Sequence, residues 1–354
     1  MTKGTTDIFP RRLRYARLMR GLSLEKLSRC LSPSVTRQAI NKYEKGLMKP
    51  DSRVLLALAG ALGVKTDYFF RPFTVGVDKI VFRQKPGFTN KMAVAVKENV
   101  RERLERYLEI EQLSGFTTVF TMPRKEVGTI EDAKAFAGEI RCLLGLGLGN
   151  DAISNVAEVL EENGIKIFEL SDNNDFISLS GFANDKIPLI IANGNISTEC
   201  KRHSMLKELG YLLLDAPTGV TLKTLDTFCN IFASEMLLPS SVLMCKIGCS
   251  RQHITLPELT DIQRQFGISV DEIILSLREQ GVVTDHRYSV FQKKKRIAPD
   301  FRVLIEKSRI KPERLGRFAR MVYSALADEL ISLSKAAVLL DVPIEEVRSN
   351  LQLI

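Results

Sequence analysis

Apolar residues in the first 70 positions recur at three- and four-residue spacing, which places them on one face of an α-helix. Turn-forming residues interrupt this spacing at Gly21 and at residues 32–34. Ser23 and either Asp51 or Ser52 are expected N-caps, because their side-chain oxygens can accept backbone N–H groups of the first turn. The pattern predicts a small all-α domain with helices at residues 10–20, 24–31, 36–45, 52–62 and 67–70.

Beyond residue 71 the pattern alternates between helical stripes and short apolar runs. The charged stretch 90–114 carries an apolar stripe with helical spacing, and such a helix can either join two protomers or pack on its own domain. Strands are expected at 77–83, 164–170, 176–183 and 188–192, and helices at 90–114, 130–144, 153–163, 201–214, 255–283 and 309–354. The predicted fold class is mostly α with a small β-sheet, that is, α+β.

Charge separates the beginning of the chain from the rest. Residues 1–71 contain 15 Lys and Arg against 5 Asp and Glu, a net charge of +10, whereas the remaining 283 residues sum to −1. A small basic unit attached to a nearly neutral larger one is expected to bind a polyanion.

The composition also favours a cytoplasmic protein that does not enter a membrane. No stretch approaches eighteen consecutive apolar residues, and residues 1–14 lack the features of a secretory signal. The six cysteines are scattered, so reduced thiols are expected rather than disulfides.

Residues 11–70 resemble a Xre/Cro-type helix-turn-helix domain along their whole length. The turn between the second and third helices usually contains glycine in that family, whereas here it is Leu-Ser-Pro-Ser. The residues that carry the resemblance are Leu13, Arg17, Gly21, Leu22, Ser23, Ile40, Tyr43, Glu44, Gly46, Pro50, Leu58, Leu62, Gly63 and Val64.

The resemblance implies that the third helix is a recognition helix whose first residues face base edges in the major groove of double-stranded DNA. Arginine can bind guanine through two hydrogen bonds, glutamine and asparagine can do the same with adenine, and lysines suit phosphates. A solvated surface charge is the alternative at each position. One recognition helix covers few base pairs, so a homodimer on a two-fold symmetric site is expected. The candidate contacts are Thr36, Arg37, Gln38, Asn41, Lys42 and Lys45.

A second candidate site lies in the helix predicted at 201–214. In the motif H-E-x-x-H, two histidines one helical turn apart bind zinc and the glutamate is the general base. Here the same frame contains Lys207, Glu208 and Tyr211. A lysine brings a positive charge and a phenol has an ordinary pKa near 10, so neither is a good zinc ligand. Considered alone, Glu208 is better explained as a charge paired with Lys207 or another cation than as a catalytic residue.

Residues 78–350 together resemble the second half of ImmA/IrrE-family metallopeptidases that carry a Xre domain in front. In that family a glutamate just before an A-N-x-F-A segment completes the zinc site, whereas the candidate positions here are Asp226 and Phe228. The resemblance therefore implies a zincin-like domain whose site has degenerated, with no metal, no cofactor and no catalytic residue. The matching stretches are 81–83, 159–166, 180–182, 188–193, 201–214 and 230–239.

Four segments are predicted on this basis. They are a helix-turn-helix domain (1–71), a connector with a strand and a long helix (72–128), a degenerate metallopeptidase-like domain (129–250) and a helical C-terminal region (251–354). In the last segment, the basic run 292–296 is interpreted as a solvated face.

These features predict a DNA-binding transcriptional regulator, most simply a repressor. Its large domain would serve sensing, dimerisation or partner binding, with a small-molecule or protein ligand in the former peptidase cleft. Two alternatives stay open: an antitoxin that binds a toxin through the large domain, and an active zinc peptidase with an unusual site. Cys245, Cys249 and His253 fall at four-residue steps, which leaves a metal or redox role open there.

Overall fold

The computed structural model describes residues 8–73, 80–82, 90–147, 151–171, 176–249, 251 and 253–351. The chain forms two compact units, the first comprising Met1–Thr117 with Met321–Ile354 and the second Thr118–Arg320. The division into four segments, which the sequence suggests, stays a prediction. Among the described residues no single helix is long and apolar enough to cross a bilayer. One pair of consecutive helices, bent by 60° where they meet, is long and apolar enough when the two are taken together.

The first unit begins with the predicted helices. They are α1 (Ile8–Met19), α2 (Leu24–Cys30), α3 (Arg37–Glu44) and α4 (Ser52–Leu62), followed by a 3₁₀ turn at Thr66–Phe70. Ser23, Thr36 and Asp51 are N-caps whose side chains accept a backbone N–H three residues later. Gly63 ends α4 with a φ of +61°, a conformation that glycine adopts without strain. The helices enclose a core that includes Leu13, Leu27, Ile40, Leu58 and Phe69.

The long helix α5 (Asn90–Ser114) has the predicted bounds and packs on α1. The buried side chains of Arg12 and Glu105 form an ion pair of 2.8 Å between the two helices. The amide of Asn99 donates to the carbonyl of Met19 at the end of α1, 3.1 Å away. Within this unit, α5 therefore packs on its own domain. The unit also includes β1 (Ile80–Phe82), α16 (Leu333–Leu340) and α17 (Ile344–Asn350).

The second unit is built on a small sheet that covers the predicted strands. Strands β3 (Lys166–Leu170), β4 (Ser178–Ala183) and β5 (Ile187–Asn193) lie in the order β4, β5, β3. Strand β5 is antiparallel to β4 and parallel to β3. A separate parallel pair is formed by β2 (Lys125–Glu126) and β6 (Leu214–Asp215). The fold is therefore α+β and mostly helical, as predicted.

Ten helices are described between residues 130 and 327. They are α6 (Ile130–Leu143), α7 (Val156–Glu162), α8 (Thr198–Leu213), α9 (Leu222–Leu237), α10 (Ser240–Ile247), α11 (Leu256–Phe266), α12 (Val270–Glu279), α13 (Asp285–Ile297), α14 (Pro299–Glu306) and α15 (Arg317–Ala327), in which the second unit ends. Thr129 and Asp132 form a capping box at the start of α6. Part of the extended run predicted at 77–83 lies outside the described residues.

Helices α8 and α9 form the centre of this unit, and one glycine sets how closely they approach. A Cβ atom at Gly210 would lie 3.2 Å from Cα of Cys229 and 3.3 Å from a ring carbon of Phe232. Such contacts are tighter than ordinary van der Waals distances, so any side chain at position 210 would separate the helices. The close approach brings the polar residues on these two helices within hydrogen-bonding distance.

Candidate functional sites

Helix α3 presents one polar side to solvent and one apolar side to the core. Ile40 and Tyr43 are buried, whereas the predicted DNA contacts lie on the other side. The hydroxyl of Thr36 accepts the backbone N–H of Ala39 at 3.2 Å and so starts the helix at that residue. The exposed members of the predicted set are Thr36, Arg37, Gln38, Lys42 and Lys45, and Asn41 is partly exposed.

A buried ion pair fixes α3 against α1. The guanidinium of Arg17 donates to both carboxylate oxygens of Glu44, at 2.6 and 2.8 Å, and also to the carbonyl of Leu22 at 2.8 Å. Only 11% of the Arg17 side chain and 7% of the Glu44 side chain are exposed. Both residues are among those that carry the resemblance to helix-turn-helix domains, but that resemblance does not show that they contact each other. The sequence does carry one sign of a buried Arg17: the residue lies on the apolar side of α1, which it shares with the buried Leu13.

The turn between α2 and α3 is closed without glycine. The hydroxyl of Ser28 donates to the carbonyl of Val35 at 2.6 Å, and the turn contains a cis peptide bond between Ser32 and Pro33. Leu31 and Val35 are buried on either side of the turn and attach it to the core of the domain. The unusual Leu-Ser-Pro-Ser sequence is therefore compatible with this geometry.

The residues at the altered metal-site motif form a hydrogen-bonded cluster between α8 and α9. The ammonium group of Lys207 lies 3.0 Å from one carboxylate oxygen of Asp226, and the hydroxyl of Tyr211 donates to the other. The structure thus brings together three of the four predicted positions through one shared carboxylate. We call Lys207, Tyr211 and Asp226 the Asp226 cluster.

The fourth position, Glu208, points elsewhere. Its side chain is fully buried and accepts a hydrogen bond of 2.6 Å from the hydroxyl of Ser178 on β4. In the structure Lys207 pairs with Asp226, and neighbouring positions on a helix face different directions. The pairing of Glu208 with Lys207 or another cation stays a prediction.

Electrostatics in the Asp226 cluster differ from those of a metal site. Burial raises the pKa of Tyr211, and its hydrogen bond to the Asp226 carboxylate raises that pKa further. The phenol therefore keeps its proton at neutral pH and acts as a donor, whereas a metal ligand must offer a lone pair. The remaining candidate position, Phe228, contributes a buried phenyl ring.

His203 lies one helical turn before Lys207, but its ring is directed to other partners. Its Nε2 is 3.1 Å from the hydroxyl of Ser234 and 3.5 Å from a carboxylate oxygen of Glu272. Burial lowers the pKa of His203, against the opposing influence of Glu272. Within the described part of the chain, no group of three or more His, Cys, Asp and Glu side chains could hold a metal ion, and that part includes Cys245, Cys249 and His253.

Comparison with known proteins concerns the first unit. A helix-turn-helix family model matches residues 13–69. The SPbeta prophage-derived uncharacterized HTH-type transcriptional regulator YonR of Bacillus subtilis (strain 168) is 36% identical over 64 residues. The aligned part is 18% of this chain and 57% of that protein, so the match spans little more than half of the relative's length. Residues 13–69 therefore form a helix-turn-helix domain.

Proposed function

We propose that the protein is a sequence-specific DNA-binding transcriptional regulator, and specifically a repressor, that acts in the cytoplasm. The observation that carries this proposal is the exposed polar side of α3 on a domain of net charge +10. The helix is held in place by a buried ion pair, so its side chains are presented in a fixed orientation. The similarity to a protein named as an HTH-type transcriptional regulator agrees with this function.

On DNA the regulator would act as a homodimer. A single α3 offers too few side chains to select one site in a genome. Two copies related by a two-fold axis would place their recognition helices about 34–36 Å apart, on successive turns of the major groove. The operator is therefore expected to be a palindrome or near-palindrome.

Arg37→Ala and Gln38→Ala are each expected to weaken binding to the preferred site by about 1–3 kcal/mol. Both side chains are exposed at the first turn of α3, where they can form hydrogen bonds to base edges. Binding to random duplexes should change much less, so the preference for one sequence should relax. Fluorescence anisotropy with preferred and random duplexes measures both quantities.

Lys42→Ala is the matched control on the same helix. Its side chain is exposed one turn later, and a lysine that contacts phosphate adds affinity without sequence information. This variant should weaken binding to every duplex equally and reduce the slope of log affinity against log salt by about 0.9. A full-length protein that ignores duplex DNA even at low salt would refute the proposed function.

We further propose that the second unit is of ImmA/IrrE-like metallopeptidase descent and does not cleave peptides. The support is chemical: Lys207 and Tyr211 both donate to Asp226, so the positions of three metal ligands are joined by hydrogen bonds instead. Without a metal, Glu208 has no activated water to deprotonate. The unit would then serve sensing, dimerisation or partner binding.

Elemental analysis of the purified protein is expected to find no stoichiometric zinc, and Glu208→Gln should leave DNA affinity within about two-fold of wild type, roughly 0.4 kcal/mol. The double variant Lys207→His with Tyr211→His supplies two imidazoles as a comparison. It should bind zinc only weakly, because Asp226 is one methylene shorter than the expected glutamate. Stoichiometric zinc in the wild type that is lost on changing Glu208 or Asp226 would instead favour an active peptidase.

A further inference from the structure

The charge of the second unit is strongly divided along the sequence. Residues 118–286 carry a net charge of −9, whereas residues 287–320 contain 12 Lys and Arg against 3 Asp and Glu, a net charge of +9. The net charge of residues 287–320 nearly equals the +10 of the helix-turn-helix segment 1–71, although the stretch is only about half as long. Such a concentration of one sign creates a local potential that attracts polyanions.

The structure places five of these 12 Lys and Arg residues on α13, whereas α14 carries Arg302 together with Asp300 and Glu306. No residue of α13 is buried, and the two helices line an open groove of about 590 Å³. The charged side chains along it are those of Lys293, Lys295, Arg296, Arg302 and Glu306.

Some of these cations are neutralised inside the unit and others are not. Lys295 lies 2.7 Å from Asp271 and 3.1 Å from Glu306, and Arg302 also pairs with Glu306. Lys293 and Arg296 are exposed and form no ion pair with any residue that the structure describes. These two side chains can therefore bind a partner without breaking an internal contact.

Helix stability explains only part of the pattern. Lys294, Lys295 and Arg296 lie in the last turn of α13, where positive charge is favoured by the helix dipole. The basic sequence nevertheless continues beyond the helices, where Lys307 and Lys311 are also exposed. We call the exposed cations Lys293, Lys294, Arg296, Lys307 and Lys311 the basic surface.

We propose that the basic surface contacts the phosphate backbone of the DNA bound by the full-length protein. This inference rests on the proposed function, because it adds a second contact to the same polyanion. Exposed lysines without ion pairs suit phosphates, which need charge and reach but no fixed hydrogen-bonding pattern. Ile297 and Val303 nearby are exposed as well, so an acidic protein segment is the competing partner.

The test is DNA binding by the full-length double variant Lys293→Gln with Arg296→Gln. Each lost phosphate contact should reduce the slope of log affinity against log salt by about 0.9, or by about 1.8 for the pair. At about 0.15 M salt this corresponds to roughly five-fold weaker binding per contact and roughly thirty-fold for both. Preferred and random duplexes should be affected equally, since phosphates carry no sequence information.

The matched control is Lys186→Gln with Lys223→Gln, which removes two exposed lysines from the acidic part of the same unit. It should leave both affinity and salt slope unchanged. If the basic-surface variant behaves like this control while Arg37→Ala still weakens binding, the inference is overturned and the proposed function stands. If no variant and no wild-type protein binds DNA, the proposed function fails and this inference fails with it.

Discussion

Arg17→Met is expected to lower the free energy of unfolding of the helix-turn-helix domain by about 3–5 kcal/mol and to abolish measurable operator binding. The substitution leaves the carboxylate of Glu44 buried without the guanidinium that donates to both of its oxygens. It also removes the donor to the carbonyl of Leu22, at the turn before α2. A small domain has only about 5–15 kcal/mol of stability in total, so a loss of this size removes a large part of it. Without the ion pair, α3 is no longer held in the position that binding requires.

The measurement is hydrogen exchange on the full-length protein, because it reports the protection of α1 and α3 separately from that of the second unit. The matched variant is Arg17→Met with Glu44→Leu, which replaces the ion pair by apolar side chains of similar size. Removing both charges should recover most of the lost protection, since no unpaired charge remains buried. If Arg17→Met alone leaves the amides of α3 as protected as in wild type, the ion pair does not hold the recognition helix.

The elements of the first unit were predictable because their ends are marked locally. Ser23, Thr36 and Asp51 cap their helices through hydrogen bonds to residues three positions away, and Gly63 ends α4. Such signals depend only on neighbouring residues, so sequence alone fixes these boundaries within one or two residues. Helix α8 begins three residues before the predicted position 201, because Ser197 caps it.

The contacts that make a site could not be predicted in the same way. Lys207 and Asp226 are 19 residues apart, and their pairing depends on how closely α8 approaches α9 at Gly210. Nothing in either helix alone specifies that distance. Arg141 illustrates the same limit: it is fully buried, and its guanidinium donates to backbone carbonyls such as those of Gly147 and Asp151. An arginine in a sequence is normally expected at the surface, and only the fold reveals such a set of acceptors.

A buried ion pair also holds the second unit together, around α8. Arg202 on α8 pairs with Glu313, and only 3% and 7% of their side chains are exposed. The oxygens of Glu313 also accept the backbone N–H groups of Val156 and Ala157 at the start of α7, at 2.9 and 3.3 Å. The guanidinium of Arg202 donates in addition to the carbonyl of Gly267 at 3.1 Å. One pair thus joins the start of α7, the second turn of α8 and the end of α11.

Glu313→Ala is therefore expected to lower the stability of the second unit by about 3–5 kcal/mol. It leaves the Arg202 guanidinium buried without its counter-charge and removes the acceptor for two backbone N–H groups.

Arg320→Ala is the control. Arg320 also binds α7, through Glu158 at 2.5 Å, but the two side chains are 56% and 40% exposed. An exposed ion pair contributes less than about 1 kcal/mol. Urea denaturation, followed through hydrogen exchange of α7 and α8, should separate the two variants clearly. Equal effects would show that burial of the Arg202–Glu313 pair does not determine the stability of this unit.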